Sequence, residues 1–130
     1  MIAFNNEALL QSLVGKTIQS IEVDDYGDES DQVYICLTNH TTLTMLHEEN
    51  CCEQLTIGNW AAAFDMDEPN DATVTSVTVR DVTEGDYDSQ VKITIETTNG
   101  DFWLIWDYYE GCSPNEESSL INLFIENQNL

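Results

Sequence analysis

The stretch "HEENCCE", residues 47–53, gathers a histidine, two adjacent cysteines and three glutamates in seven positions. Three chemistries compete for it. A structural zinc site needs four nitrogen or sulfur ligands in a tetrahedron, and the usual paired Cys-x2-Cys spacing is absent. If residues 51 and 52 are extended, their side chains point to opposite faces and cannot both reach one ion. A metal or small-ligand site would therefore draw on His47, Cys52 and the distant Cys112. A Cys–His nucleophile needs an electropositive surround that lowers the thiol pKa. Here Glu48, Glu49, Glu53 and Glu110 would raise it. The third reading is packing: Cys52 and Cys112 as small buried residues at equivalent turns, and Cys36 as a strand-core residue. The residue types favour packing, with His47 left as a pH-sensitive group beside its glutamates. No catalytic residue, metal or cofactor is expected, and the chain reads as non-enzymatic.

Other motifs add little. The acidic runs "DDYGDESD" (24–31) and "DMDEPND" (65–71) lack the fixed positions and closing Glu of an EF-hand. Among so many acids some pair always resembles a hydrolase dyad, so that signal is uninformative. No Gly-rich phosphate loop or Ser nucleophile elbow is present.

The charge balance excludes more. The 130 residues hold 25 acids against three bases, Lys16, Arg80 and Lys92, for a formal charge of −22. Such a surface repels nucleic acid and anionic membranes and attracts basic protein surfaces. Acidity alone would suit a disordered tail. Here the aromatic and β-branched residues lie in short alternating runs, with acids clustered between them, as in a folded domain. No basic leader and no apolar run near the ~18 residues of a span are seen. These features predict a cytosolic protein with reduced cysteines.

The chain reads as a duplication. "TIQSIEV" (17–23) and "TVTSVTV" (73–79) share Thr, Ser and Val at their first, fourth and seventh positions. Each leads into an acidic loop, then an alternating run, "QVYICLTN" (32–39) or "QVKITIETTN" (90–99), then "HTTLTMLH" (40–47) or "GDFWLIWD" (100–107). Asn39-His40 and Asn99-Gly100 are the expected hairpin turns. This alignment sets His47 opposite Asp107, Cys52 opposite Cys112, and Leu43 and Met45 opposite Trp103 and Ile105. A fourth strand is expected to end each half, at 54–57 and 119–125.

A short amphipathic helix is predicted over 6–14, capped by Asn5 or Asn6 and stopped by Gly15. The half-repeats are read as 16–58 and 72–126. A helical connector, one or two turns over 59–66 and a linker to 71, separates them. The fold class expected is α+β, a mostly antiparallel sheet of six to eight strands in a single domain.

The combination "LVGKTI" (13–18), an alternating strand pair and "HEENCCE" resembles a family of small phage and prophage proteins. Their pattern is Gly-Lys-x-Ile followed by His-x-x-x-Cys-Cys-Glu and a later Trp-bearing strand, comparable with "FWLIWDYYEG" (102–111). The resemblance is close over the first 58 residues and looser beyond. The family's Asn-Gly-Tyr-Tyr-type segment is replaced here by "PNEESS" (114–119). The resemblance implies a phage-borne accessory protein of anti-defence type and transfers no catalytic residue.

The expected function follows from charge placement. Asp24, Asp25, Asp28, Glu29 and Asp31 in one loop match Asp81, Glu84, Asp86 and Asp88 in the other. Two such rows can imitate the phosphates of duplex DNA, spaced about one charge per 1.7 Å of axis. The run "FWLIWDYY" reads either as a central strand covered on both faces or as an exposed patch, with Trp103 or Tyr108 and Tyr109 as interface anchors rimmed by Asp101, Asp107 and Glu110. The predicted partner is a basic, nucleic-acid-binding host protein such as a CRISPR effector or restriction complex. Direct nucleic-acid or membrane binding is not expected, and homodimerisation through an edge strand is an open possibility.

Overall fold

A computed structural model describes residues 2–27, 31–47, 53–68, 71–84, 89–110 and 121–129. Among these described residues nine strands and one short helix follow in the order β1 (Ile2–Asn5), α1 (Glu7–Gln11), β2 (Ile18–Asp24), β3 (Gln32–Leu37), β4 (Thr41–Leu46), β5 (Glu53–Ala62), β6 (Val74–Asp81), β7 (Ser89–Thr97), β8 (Gly100–Glu110) and β9 (Ile121–Asn129). They form two sheets rather than the single sheet of six to eight strands expected. One has the order β1-β9-β4-β3-β2, the other β5-β8-β7-β6. All pairings are antiparallel except β1 with β9, which is parallel.

Each half makes a three-strand meander, β2-β3-β4 and β6-β7-β8, as its alternating runs predict. Its fourth strand then crosses to the other sheet: β5 pairs with β8, and β9 pairs with β4. The halves are thus tied by reciprocal strand exchange. A local twofold runs between Thr17 and Thr73, which bridge antiparallel with their hydroxyls 3.2 Å apart. The bonds around it are symmetric. Ile18 N–H donates to Ala72 C=O and Val74 N–H to Lys16 C=O; Thr38 N–H donates to Thr17 C=O and Thr98 N–H to Thr73 C=O. Bulges fall at matched places, Ile18/Ser20 and Val74/Ser76.

Side-chain alternation decides which faces are buried. Val33, Ile35, Leu43, Met45, Leu123 and Ile125 of one sheet join Ile93, Ile95, Phe102, Leu104 and Trp106 of the other in a single core. Leu10 and Leu13 from the helix and its following turn complete it.

Register corrects the alignment of the halves. Ile21 pairs with Ile35, and the matched Val77 pairs with Ile95. Ile35 in turn faces Leu43, while Ile95 faces Phe102. Leu43 and Met45 therefore correspond to Phe102 and Leu104, not to Trp103 and Ile105, and His47 corresponds to Trp106, not Asp107. The β7–β8 turn is one residue shorter than the β3–β4 turn, and a one-residue slip reverses every face. Both turns sit where expected, with His40 at φ 69° and Gly100 at φ 128°.

The helical connector is the other correction. Residues 59–62 continue β5, with Asn59, Trp60, Ala61 and Ala62 paired to Ile105, Leu104, Trp103 and Phe102. Alanine's helix propensity is a few tenths of a kcal/mol per residue, which a central aromatic strand outweighs. The helix at the N-terminus covers only Glu7–Gln11. Asn6 is its N-cap residue but adopts a left-handed φ of 77° and makes no side-chain cap bond.

Long sheet edges are covered from within. Ile21 N–H of β2 donates to Met66 C=O, and the β6 carbonyls of Val74 and Val77 accept from Gly15 N–H and Gln11 Nε2. On β5, Ile57 N–H donates to the Asp31 carboxylate. Covering edge groups in this way opposes edge-to-edge association.

Candidate partner-binding surface

The first acidic loop departs from β2 at Asp24 and is held by side chains at both ends. The Asp25 carboxylate accepts from the indole N–H of Trp60 on β5, at 3.0 Å. Asp31, expected as a surface acid, is 1% exposed. Its two oxygens accept from Gly27 N–H at 2.9 Å and Ile57 N–H at 2.8 Å. A buried carboxylate is tolerated where N–H donors meet it, and this one fastens the loop to the opposite sheet.

Between these anchors Tyr26 is 72% exposed, the most exposed large hydrophobic residue described. Asp25 is exposed beside it and Asp24 half-buried. The local field is negative. Burial first, then the carboxylates of Asp24 and Glu22, push the Tyr34 phenol above its ordinary pKa. Asp28 and Glu29 lie outside the described residues.

In the second loop, Asp81 and Glu84 are exposed. Asp81 accepts from the hydroxyl and N–H of Thr83, which hold its carboxyl below the usual range. Asp86 and Asp88 lie outside the described residues. Because β2 and β6 leave the Thr17–Thr73 bridge in antiparallel directions, the two loops lie on opposite sides of the twofold.

The aromatic rim divides. Asp101 is exposed, but Asp107 and Tyr108 are 7% and 5% exposed and do not form an accessible rim. Tyr109 and Glu110 are placed here by backbone pairing alone, opposite Gln54 and Glu53. Asp107 accepts from Gln90 Nε2 at 2.7 Å and lies over Gly58, at the β5 bulge. A Cβ on Gly58 would stand 1.9 Å from the Asp107 Oδ2. Burial raises the Asp107 pKa, opposed by the Gln90 bond. Sequence reasoning missed this pair, although a glycine inside a strand pattern is a signal of close approach.

For the ligand or metal alternative, His47 is buried at the end of β4. Cys52 and Cys112 lie outside the described residues. Among the described residues no three His, Cys, Asp or Glu side chains converge as a metal site. Cys36, expected in the core, is half-buried on the outward face of β3, where Thr42 Oγ1 donates to its sulfur at 3.6 Å. No described helix is long and apolar enough to cross a membrane.

Residues 11–114 match the model of a family described as a domain of unknown function, DUF7448. This span takes in both three-strand meanders and ends before β9. No curated protein and no solved structure matches the chain.

Proposed function

Taking as premise that the chain belongs to the DUF7448 family, we propose that it is an acidic, non-enzymatic binding protein that docks on a basic, nucleic-acid-binding surface of another protein. The observation that carries this reading is the loop at 24–27. It presents exposed Tyr26 beside Asp24 and Asp25, and Trp60 and Asp31 fix it to the body. Preorganisation lowers the entropy lost on binding. Tyrosine is among the residues that most often dominate interface energies, and surrounding carboxylates speed encounter with a basic partner.

In its finer form, the partner is a host defence complex, such as a CRISPR effector or restriction enzyme, and the chain is a phage-type inhibitor acting in the host cytosol as a charge mimic. Support for the finer form is the −22 charge together with the resemblance of residues 13–18 and 47–53 to a pattern of phage and prophage proteins.

The test is a pull-down from host lysate, eluted by a salt gradient, with wild type and a variant reversed at Asp24, Asp81 and Glu84. Asp25 and Asp31 are kept because they hold the loop. The reading expects one nucleic-acid-binding complex, released at moderate salt and lost by the reversed variant. Equal capture by that variant, or only a diffuse set of basic proteins released at low salt, refutes it.

A further inference from the structure

Arg80 and Lys92, two of the chain's three basic residues, face each other directly across β6 and β7. Like charges so placed are destabilising unless something compensates them. They lie on the outward face of the β5-β8-β7-β6 sheet, since Ile93, Ile95, Phe102, Leu104 and Trp106 fill its inward face. At the matched positions of the other sheet stand Asp24 and Gln32. Two bases thus stand here where the other sheet has an acid and an amide.

The face is ordered by rows. Arg80, Lys92, Ile105 and Asn59 form one; Thr78, Thr94, Trp103 and Ala61 the next; Ser76, Glu96 and Asp101 the third. Glu96 and Asp101 are a second like-charge pair, both exposed. Trp103, half-buried, lies between the pairs with the Lys92 ammonium 4.7 Å from its ring centre. The order basic, aromatic, acidic is self-complementary under a twofold lying across the strands through the Thr94–Trp103 row. That axis sets Lys92 of one copy over Glu96 of the other, Arg80 over Ser76 and Ile105 over Asp101, and stacks the Trp103 rows.

We infer that this face is the interface of a closed, face-to-face homodimer, the occupant being a second copy of this chain. The inference is independent of the proposed function and leaves the 24–27 loop outside the contact. It also differs from the edge-strand dimer considered from sequence, whose route the covered edges oppose. Four strands about 4.8 Å apart and seven residues at about 3.4 Å give roughly 450 Å² per copy. The total, about 900 Å², is below the ~1,200 Å² at which stable interfaces begin, so association is concentration-dependent. The net charge opposes it at low salt, and screening within a Debye length of about 8 Å near 0.15 M relieves that repulsion.

The test is sedimentation velocity near 0.15 M salt on wild type, on Arg80→Glu/Lys92→Glu, on Glu96→Lys/Asp101→Lys and on an equimolar mixture of the two variants, with near-UV circular dichroism to verify folding. The expected result is a wild-type dimer, two monomeric variants, and a mixture that dimerises at least about tenfold more tightly than either variant alone. A monomeric wild type at the highest concentration, variants that self-associate like wild type, or a mixture that stays monomeric would each overturn the inference.

Discussion

Substituting Gly58 tests the tightest surroundings of any described glycine. A Cβ there would lie 1.9, 2.5 and 2.9 Å from Asp107 Oδ2, Cγ and Oδ1, so the whole carboxyl must move. Overpacking of this kind costs about 1–3 kcal/mol. Displacing the carboxyl also breaks its 2.7 Å bond from Gln90, which at about 1.5–3 kcal/mol for a charged partner is the larger loss if the amide finds no new acceptor. Reduced freedom of the unfolded chain returns about 0.4–1 kcal/mol. Gly58→Ala is therefore expected to destabilise by roughly 2–4 kcal/mol. Urea unfolding followed by tryptophan fluorescence measures this, with Trp106 and Trp103 on the neighbouring strand. The decisive comparison repeats the substitution in an Asp107→Ala background, where the obstacle is gone and the cost should fall close to zero. A cost below about 0.5 kcal/mol in wild type, or an equal cost in both backgrounds, would refute the reasoning, since non-additivity is what contact requires.

Three further outcomes follow from the same structure. Asp31→Ala leaves the buried N–H of Ile57 and the N–H of Gly27 without their acceptor; a loss of about 3 kcal/mol is expected, and hydrogen exchange should show Ile57 opening first. Asp107 has a folded pKa above its unfolded one, so the folded state holds its proton more tightly. Its contribution is full below the ordinary carboxylate pKa and is lost as pH rises through the folded value, and the stability difference between wild type and Asp107→Asn should therefore move against wild type as pH rises out of the ordinary carboxylate range, read by urea titrations. Finally, a chain with 25 acids and three bases repels itself, and its melting temperature should rise with added sodium chloride at pH 7; a flat or falling response would refute net self-repulsion as a term in its stability.

The twofold repetition of patterns was legible because period-2 alternation is a local property. Val33, Ile35 and Leu37, like Ile93 and Ile95, show their buried side in the chain itself. Asn39-His40 and Asn99-Gly100 announce their turns through residue types that accept positive φ. The acidic loops were equally plain, but not the different duties within them. Asp25 and Asp31 are structural acceptors and Asp24 is not, a distinction made by donors on β5 some 26 to 35 residues away.

Composition and spacing by themselves determined a folded acidic β-rich domain, two meanders with their turns, and the fourth strand of each half. Only the tertiary structure decided that these fourth strands change sheets, that residues 59–62 are strand, and which face of β8 is inward. The reason is physical. Alternation tells that a strand has an apolar side but not which partner will cover it. When both faces carry apolar residues, as in "FWLIW", one residue in the adjoining β7–β8 turn selects the side. That turn buries Phe102, Leu104 and Trp106 and leaves Trp103 beside Lys92 on the outer face.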